Sequence, residues 1–139
     1  MPMKDTKTKG ALTVLEFAYE CVKRGATVSE PIGDNSRYDL IVDSGTRLSR
    51  VQVKKANDQG GGVFSVNGTR KVSGKSVPYV LGELDCLVTR AGNSWFFFPE
   101  PHKLKSIFQV RPGAAVAAYT WNFGKDNWAS LGFSPQLEI

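Results

Sequence analysis

The run Tyr38-Asp39-Leu40-Ile41-Val42 sets a carboxylate inside an otherwise apolar, β-branched stretch, and a later run, Arg50-Val51-Gln52-Val53-Lys54, ends on a lysine. Aspartate is depleted in strands, so an acid in that setting asks for a reason. Upstream, Glu16 adds a second carboxylate on a helical stretch. Oxygen donors of these types bind a hard cation such as Mg2+. The ion polarises a phosphate and lowers the pKa of a bound water, while a lysine orients that water or stabilises the developing charge. Asp39, Gln52, Lys54 and Glu16 are therefore candidate catalytic residues for phosphodiester hydrolysis. Glu20 competes with Glu16, because a residue four positions along shares its helix face.

These residues need elements to hold them together. Residues 10–25 read as a helix, with Ala11, Leu15, Ala18 and Val22 recurring on one face, Lys23 and Arg24 at the negative end of its dipole and Gly25 as its stop. A short strand through Thr27 and Val28 leads into the turn-rich segment 31–36, with Asp34 as a turn residue. Residues 37–43 and 47–55 then read as an antiparallel hairpin closed by Ser44-Gly45-Thr46, with Asp43 another turn aspartate. With the turn at Gly45 and Thr46, Asp39 stands opposite Gln52. Side chains alternate along a strand, so Asp39, Gln52 and Lys54 share one face while Leu40, Val42, Val51 and Val53 point to the other.

Further along, Gly60-Gly61-Gly62 marks a break without the Lys-Ser/Thr of a phosphate loop. Asn67-Gly68, between 63–66 and 69–72, is the strongest short hairpin signal in the chain. Strands are expected at 79–89 and 94–98, with Trp95 to Phe98 as core aromatics, and again at 107–110. Residues 114–119 read as a short helix or strand and 125–131 as a terminal helix. Asp85, inside an apolar run, is expected to partner a lysine or arginine.

The 139 residues suit one domain spanning 1–139. No apolar run approaches a membrane span and no secretory leader is visible, so a soluble, cytoplasmic protein is expected. Cys21 and Cys86 are too few for a disulfide framework and read as reduced core residues. His102 is the only histidine, which excludes a histidine metal cluster and a serine triad. A net charge of +5 favours a polyanionic partner. Arg37, Arg47, Arg50, Lys55, Arg70, Lys71 and Lys75 cluster around the proposed site and the Asn-Gly hairpin, and a two-stranded ribbon fits the major groove.

Taken together, Lys9-Gly10 with Glu16, Arg24-Gly25, Pro31-Ile32-Gly33-Asp34, Tyr38-Asp39-Leu40-Ile41-Val42-Asp43 and Arg50-Val51-Gln52-Val53-Lys54 resemble the PD-(D/E)XK nucleases. The likeness is to the small group I intron-associated homing endonucleases of that superfamily. Asp85 and Trp95 to Pro99 resemble the second half of such a core. The resemblance implies an α/β, restriction-endonuclease-like fold with a central mixed β-sheet flanked by helices. It implies that Asp39 is the principal metal ligand, Gln52 a neutral ligand or water holder, and Val53 a ligand through its carbonyl. Lys54 then touches the attacking water or the scissile phosphate, and Glu16 completes the acid set. Gln52 departs from the pattern, standing where most members carry a second Asp or Glu. Implied in turn are a Mg2+-dependent endonuclease and double-stranded DNA as substrate. Because one active site cuts one strand at a time, a homodimer or homotetramer is expected, and the C-terminal aromatics Trp121, Phe123, Trp128 and Phe133 either form its contact surface or finish the core. A Holliday-junction-resolving or restriction-type nuclease stays open, as does a DNA-binding module of the same fold that no longer cleaves.

Overall fold

The computed structural model describes residues 6–33, 36–115 and 120–134, so Asp34 and residues 116–119 lie outside it. The first helix, α1 (Thr6–Lys23), ends where Gly25 adopts φ 92°, the left-handed conformation glycine takes without penalty. There follow β1 (Thr27–Ser29), β2 (Leu40–Asp43) and β3 (Leu48–Lys55), an antiparallel meander. Leu40 faces Val51 and Ile41 faces Arg50, the register expected from a turn at Gly45-Thr46. Asp43 closes that turn by accepting the Gly45 N–H at 2.9 Å.

The chain next lays down β4 (Asn57–Asp58), β5 (Phe64–Asn67), β6 (Thr69–Val72) and β7 (Lys75–Pro78). It then returns to the main sheet with β8 (Cys86–Ala91) and β9 (Ser94–Phe98), and β10 (Ile107–Val110) follows. The main sheet has the order β1-β2-β3-β8-β9 and is mixed, because β8 runs parallel to β3. A smaller sheet, β10-β5-β4, forms a second layer, and β6 and β7 make a separate ribbon.

Two cores share the main sheet. On one face Phe17 and Cys21 of α1 pack against Leu40, Val42, Val51, Val53, Cys86, Val88, Trp95 and Phe97. On the other, Leu87, Phe96 and Phe98 meet Val66, Tyr79, Leu84, Phe108 and Val110. Strand β9 is thus buried on both sides, which is why it reads Trp-Phe-Phe-Phe without polar alternation. Its outer edge is covered by the 3-10 turn Thr120–Gly124 and the residues just after it, where Lys125 bridges to Phe96 and Asp126 donates its N–H to the Trp95 carbonyl at 2.8 Å. A Cβ on Gly124 would sit 2.5 Å from the Phe97 carbonyl oxygen, so only glycine lets the two backbones approach. Cys21 and Cys86 are free and buried, and burial pushes both thiols up to about 12. No helix among the described residues is long and apolar enough to cross a membrane.

Several local expectations need correction. The buried stripe of α1 is Thr13, Phe17 and Cys21 with Val14 and Ala18 beside it, while Ala11, Leu15 and Val22 face solvent. Apolar residues occupy two faces of this helix, and the bulky Phe17 wins the core by stacking on Trp128 with centroids 5.7 Å apart. Asn67-Gly68 is not a hairpin turn. Strand β5 pairs with β4 and β10, whereas β6 turns back on β7 through Ser73-Gly74, at φ 49° and 78°. Two positive φ values are what a two-residue hairpin of this twist demands. Residues 79–85 form a looped approach, and the strand begins only at Cys86. In place of a terminal helix stand the 3-10 turns Thr120–Gly124 and Trp128–Leu131.

Candidate active site

Backbone pairing between β2 and β3 gives way at Asp39. Its N–H still donates to the Val51 carbonyl at 2.9 Å, but its carboxylate Oδ2 reaches across to accept the Val53 N–H at 2.8 Å. The side chain has taken the place of a ladder partner, which fixes it beside the backbone immediately before Lys54. Lys54 and Gln52 project to the face opposite α1, since Val51 and Val53 lie in the helix-side core. The Lys54 ammonium donates to the Thr69 carbonyl at 2.8 Å and lies 5.9 Å from the centre of the Tyr79 ring. Thr69 is itself braced, because Asn67 Oδ1 accepts from both its N–H, at 2.9 Å, and its hydroxyl, at 2.6 Å.

Partial burial governs the charges here. It raises the pKa of Asp39, against the Val53 N–H and the Lys54 charge, which pull it down. It lowers the pKa of Lys54, against the nearby Asp39. Tyr79, expected from the sequence only as a strand residue, is buried with no hydrogen-bond partner for its hydroxyl among the described residues. Burial first, then the Asp39 charge, holds that phenol well above its usual range.

The helix acids are engaged elsewhere. Glu16 pairs with Arg90 of β8, which alternates with Cys86 and Val88 on the helix side and lies over the Trp95 ring at 5.8 Å. The sheet therefore separates Glu16 from Lys54. Glu20 pairs with Lys23 at 3.2 Å, one turn along the same helix. Among the described residues no group of three or more histidines, cysteines or acids gathers to hold a metal. What remains at the site is one carboxylate, Asp39, with the Val53 carbonyl and the Gln52 amide oxygen. That all-oxygen set fits a hard cation of the Mg2+ kind, which commonly keeps several waters and uses one or two carboxylates together with substrate phosphate.

Arg50 forks onto Asp85 at 3.1 and 3.2 Å, so Asp85 is an arginine partner as expected. Burial would raise the Asp85 pKa, but the Arg50 hydrogen bonds outweigh it and hold the carboxyl below its usual range. Arg47 donates to the Ser130 carbonyl at 2.6 Å, and Arg70 forks onto Glu83, an acid the sequence reading passed over. Of the expected DNA contacts, Arg47 and Arg50 therefore tie parts of the fold together. Lys55, Lys71 and Lys75 are exposed, the last two on the β6–β7 ribbon, and Arg37 is largely exposed as well.

A family model described as PD-(D/E)XK endonuclease matches residues 4–103, a span that contains Asp39, Lys54, Tyr79 and Glu83. Among solved structures, a bacterial homing endonuclease, I-Ssp6803I, is similar at 23% identity, covering 91% of this chain and 90% of that one with a TM-score of 0.72. At that identity the likeness is one of fold. No curated protein matches the chain.

Proposed function

The chain belongs to the PD-(D/E)XK endonuclease family, and from that membership we propose that it hydrolyses phosphodiester bonds in double-stranded DNA as a homing endonuclease requiring Mg2+. The observation that carries this reading is the Asp39 carboxylate bound to the Val53 N–H, one residue before the half-buried Lys54. Asp39, the Val53 carbonyl and Gln52 are the residues to hold the ion, which when bound polarises the phosphate and acidifies a water. The chain's own groups do the rest. Asp39 is held in place by a backbone hydrogen bond rather than by a mobile side chain, so it needs little reorganisation. Lys54, partly desolvated, offers its ammonium to the charge that builds on the phosphate, where a lowered dielectric strengthens the attraction. The free, buried cysteines suit a reducing compartment such as the cytoplasm.

Cutting both strands of a duplex takes two active sites in two-fold relation, so the working form is a homodimer or a dimer of dimers. The C-terminal aromatics mostly finish the core: Phe133 is buried, Trp121 and Trp128 are half-buried in the two cores, and of the four only Phe123 is exposed. On α1, by contrast, Leu12, Leu15, Tyr19 and Val22 form an exposed seam spaced by three, four and three residues. Such spacing is self-complementary, and a second copy of the chain is the occupant it suits.

A second reading rests on the single carboxylate at the site: a DNA-binding module of the same fold that no longer cleaves. Incubating supercoiled plasmid with the protein in Mg2+ or in EDTA separates the two. Mg2+-dependent nicking and linearisation is the expected outcome, and binding without cleavage in any divalent cation favours the module. A four-way junction cut in preference to the plasmid identifies a resolving nuclease instead.

A further inference from the structure

Glu83 is a buried carboxylate for which the reaction outlined above has no use. Its side chain is 6% exposed and lies between two guanidiniums. Arg70 grips it with a fork, Nε to Oε2 at 3.0 Å and Nη2 to Oε1 at 3.2 Å, and Arg37 Nη1 stands 3.7 Å from Oε1. A buried carboxylate is costly unless paired, and one arginine in this geometry already satisfies the pairing. The second leaves the group with a surplus positive charge. That surplus faces outward, for the Arg37 side chain is 57% exposed and that of Arg70 26%.

Position gives the surplus a use. Arg37 precedes Asp39 by two residues, and Arg70 directly follows Thr69, whose carbonyl holds the Lys54 ammonium. Tyr79, whose ring centre stands 5.9 Å from the Lys54 ammonium, feels the charges of Asp39, Arg70 and Glu83. We infer that Arg37 and Arg70 form a site for a DNA backbone phosphate next to the scissile one, with Glu83 as the buried brace that fixes the two guanidiniums. This rests on the nuclease reading and adds a subsite to it. A guanidinium presents more than one edge of donors, so an arginine held by a carboxylate on one edge still offers another to a phosphate. Glu83 touches no substrate and is a positioning residue.

The test is fluorescence anisotropy of a labelled mixed-sequence duplex in EDTA across a salt series, together with Mg2+-dependent cleavage by the same variants. Arg37→Ala and Arg70→Ala should each flatten the plot of log affinity against log salt by about 0.9, the loss of one phosphate contact. Glu83→Gln keeps both arginine charges, so its slope should equal or exceed that of the wild type while cleavage falls about tenfold or more. Arg37 is the safer variant, being largely exposed, and decides the matter alone if Arg70→Ala does not fold. An unchanged slope in Arg37→Ala, with wild-type protein binding the duplex, overturns the phosphate site. A Glu83→Gln variant that cleaves like the wild type overturns the brace. Failure of the wild type to cut DNA in any divalent cation strikes the nuclease reading instead, and the slopes still report on the phosphate site.

Discussion

Lys54 and Asp39 each shift the other's proton. The lysine charge pulls the Asp39 pKa down against burial, and burial wins, leaving the carboxyl above its ordinary value. In the metal-free protein, NMR titration of the Asp39 carboxyl should therefore place its pKa above the ordinary carboxylate value, and Lys54→Ala, which removes the opposing charge, should raise it further; a pKa that stays put in the variant separates Lys54 from Asp39. In Mg2+ the same variant should cleave about 10²-fold more slowly, the scale of losing one charged transition-state contact. At this scale the sequence was informative wherever alternation decides direction: Asp39, Gln52 and Lys54 share a face as their spacing requires. Glu16 was recognisable as a helix acid but not as the partner of Arg90, a residue far along the chain. Tyr79 and Glu83 were hidden for the same reason, since each gains meaning only from contacts across the sheet or loop.

Elements were legible where one turn governs one pairing. The register of β2 on β3 followed from Gly45 alone. Asn67-Gly68 misled because its glycine serves a close approach: a Cβ at Gly68 would run into the Lys105 carbonyl, while the tight turn is made at Ser73-Gly74. The core face of α1 was ambiguous because its apolar residues fall on two sides, one for the sheet and one left outward. Gly124 offers an element-scale test. Gly124→Ala forces a methyl against the Phe97 carbonyl and should destabilise the protein by about 1–3 kcal/mol, the usual cost of overpacking, in a urea titration. Unchanged stability shows that the Thr120–Gly124 turn does not seal the β9 edge as tightly as the Gly124–Phe97 approach requires.

For the whole molecule, the mixed α/β sheet was foreseeable from the resemblance to the PD-(D/E)XK nucleases, whereas the β-layer on the far face was not, because its strands pair out of sequence. Assembly is tested at this scale by sedimentation velocity. The wild type should sediment as a dimer or larger, and a Leu15→Glu, Tyr19→Glu double variant as a folded monomer that nicks plasmid without linearising it. A wild-type monomer that makes double-strand breaks contradicts the two-fold arrangement. The central claim, that Asp39 anchors a metal-dependent nuclease centre, is tested most directly by Asp39→Ala on supercoiled plasmid in Mg2+, with a mobility shift in EDTA as control. Loss of all cleavage with retained DNA binding is the expected result, and cleavage by Asp39→Ala at the wild-type rate would contradict it.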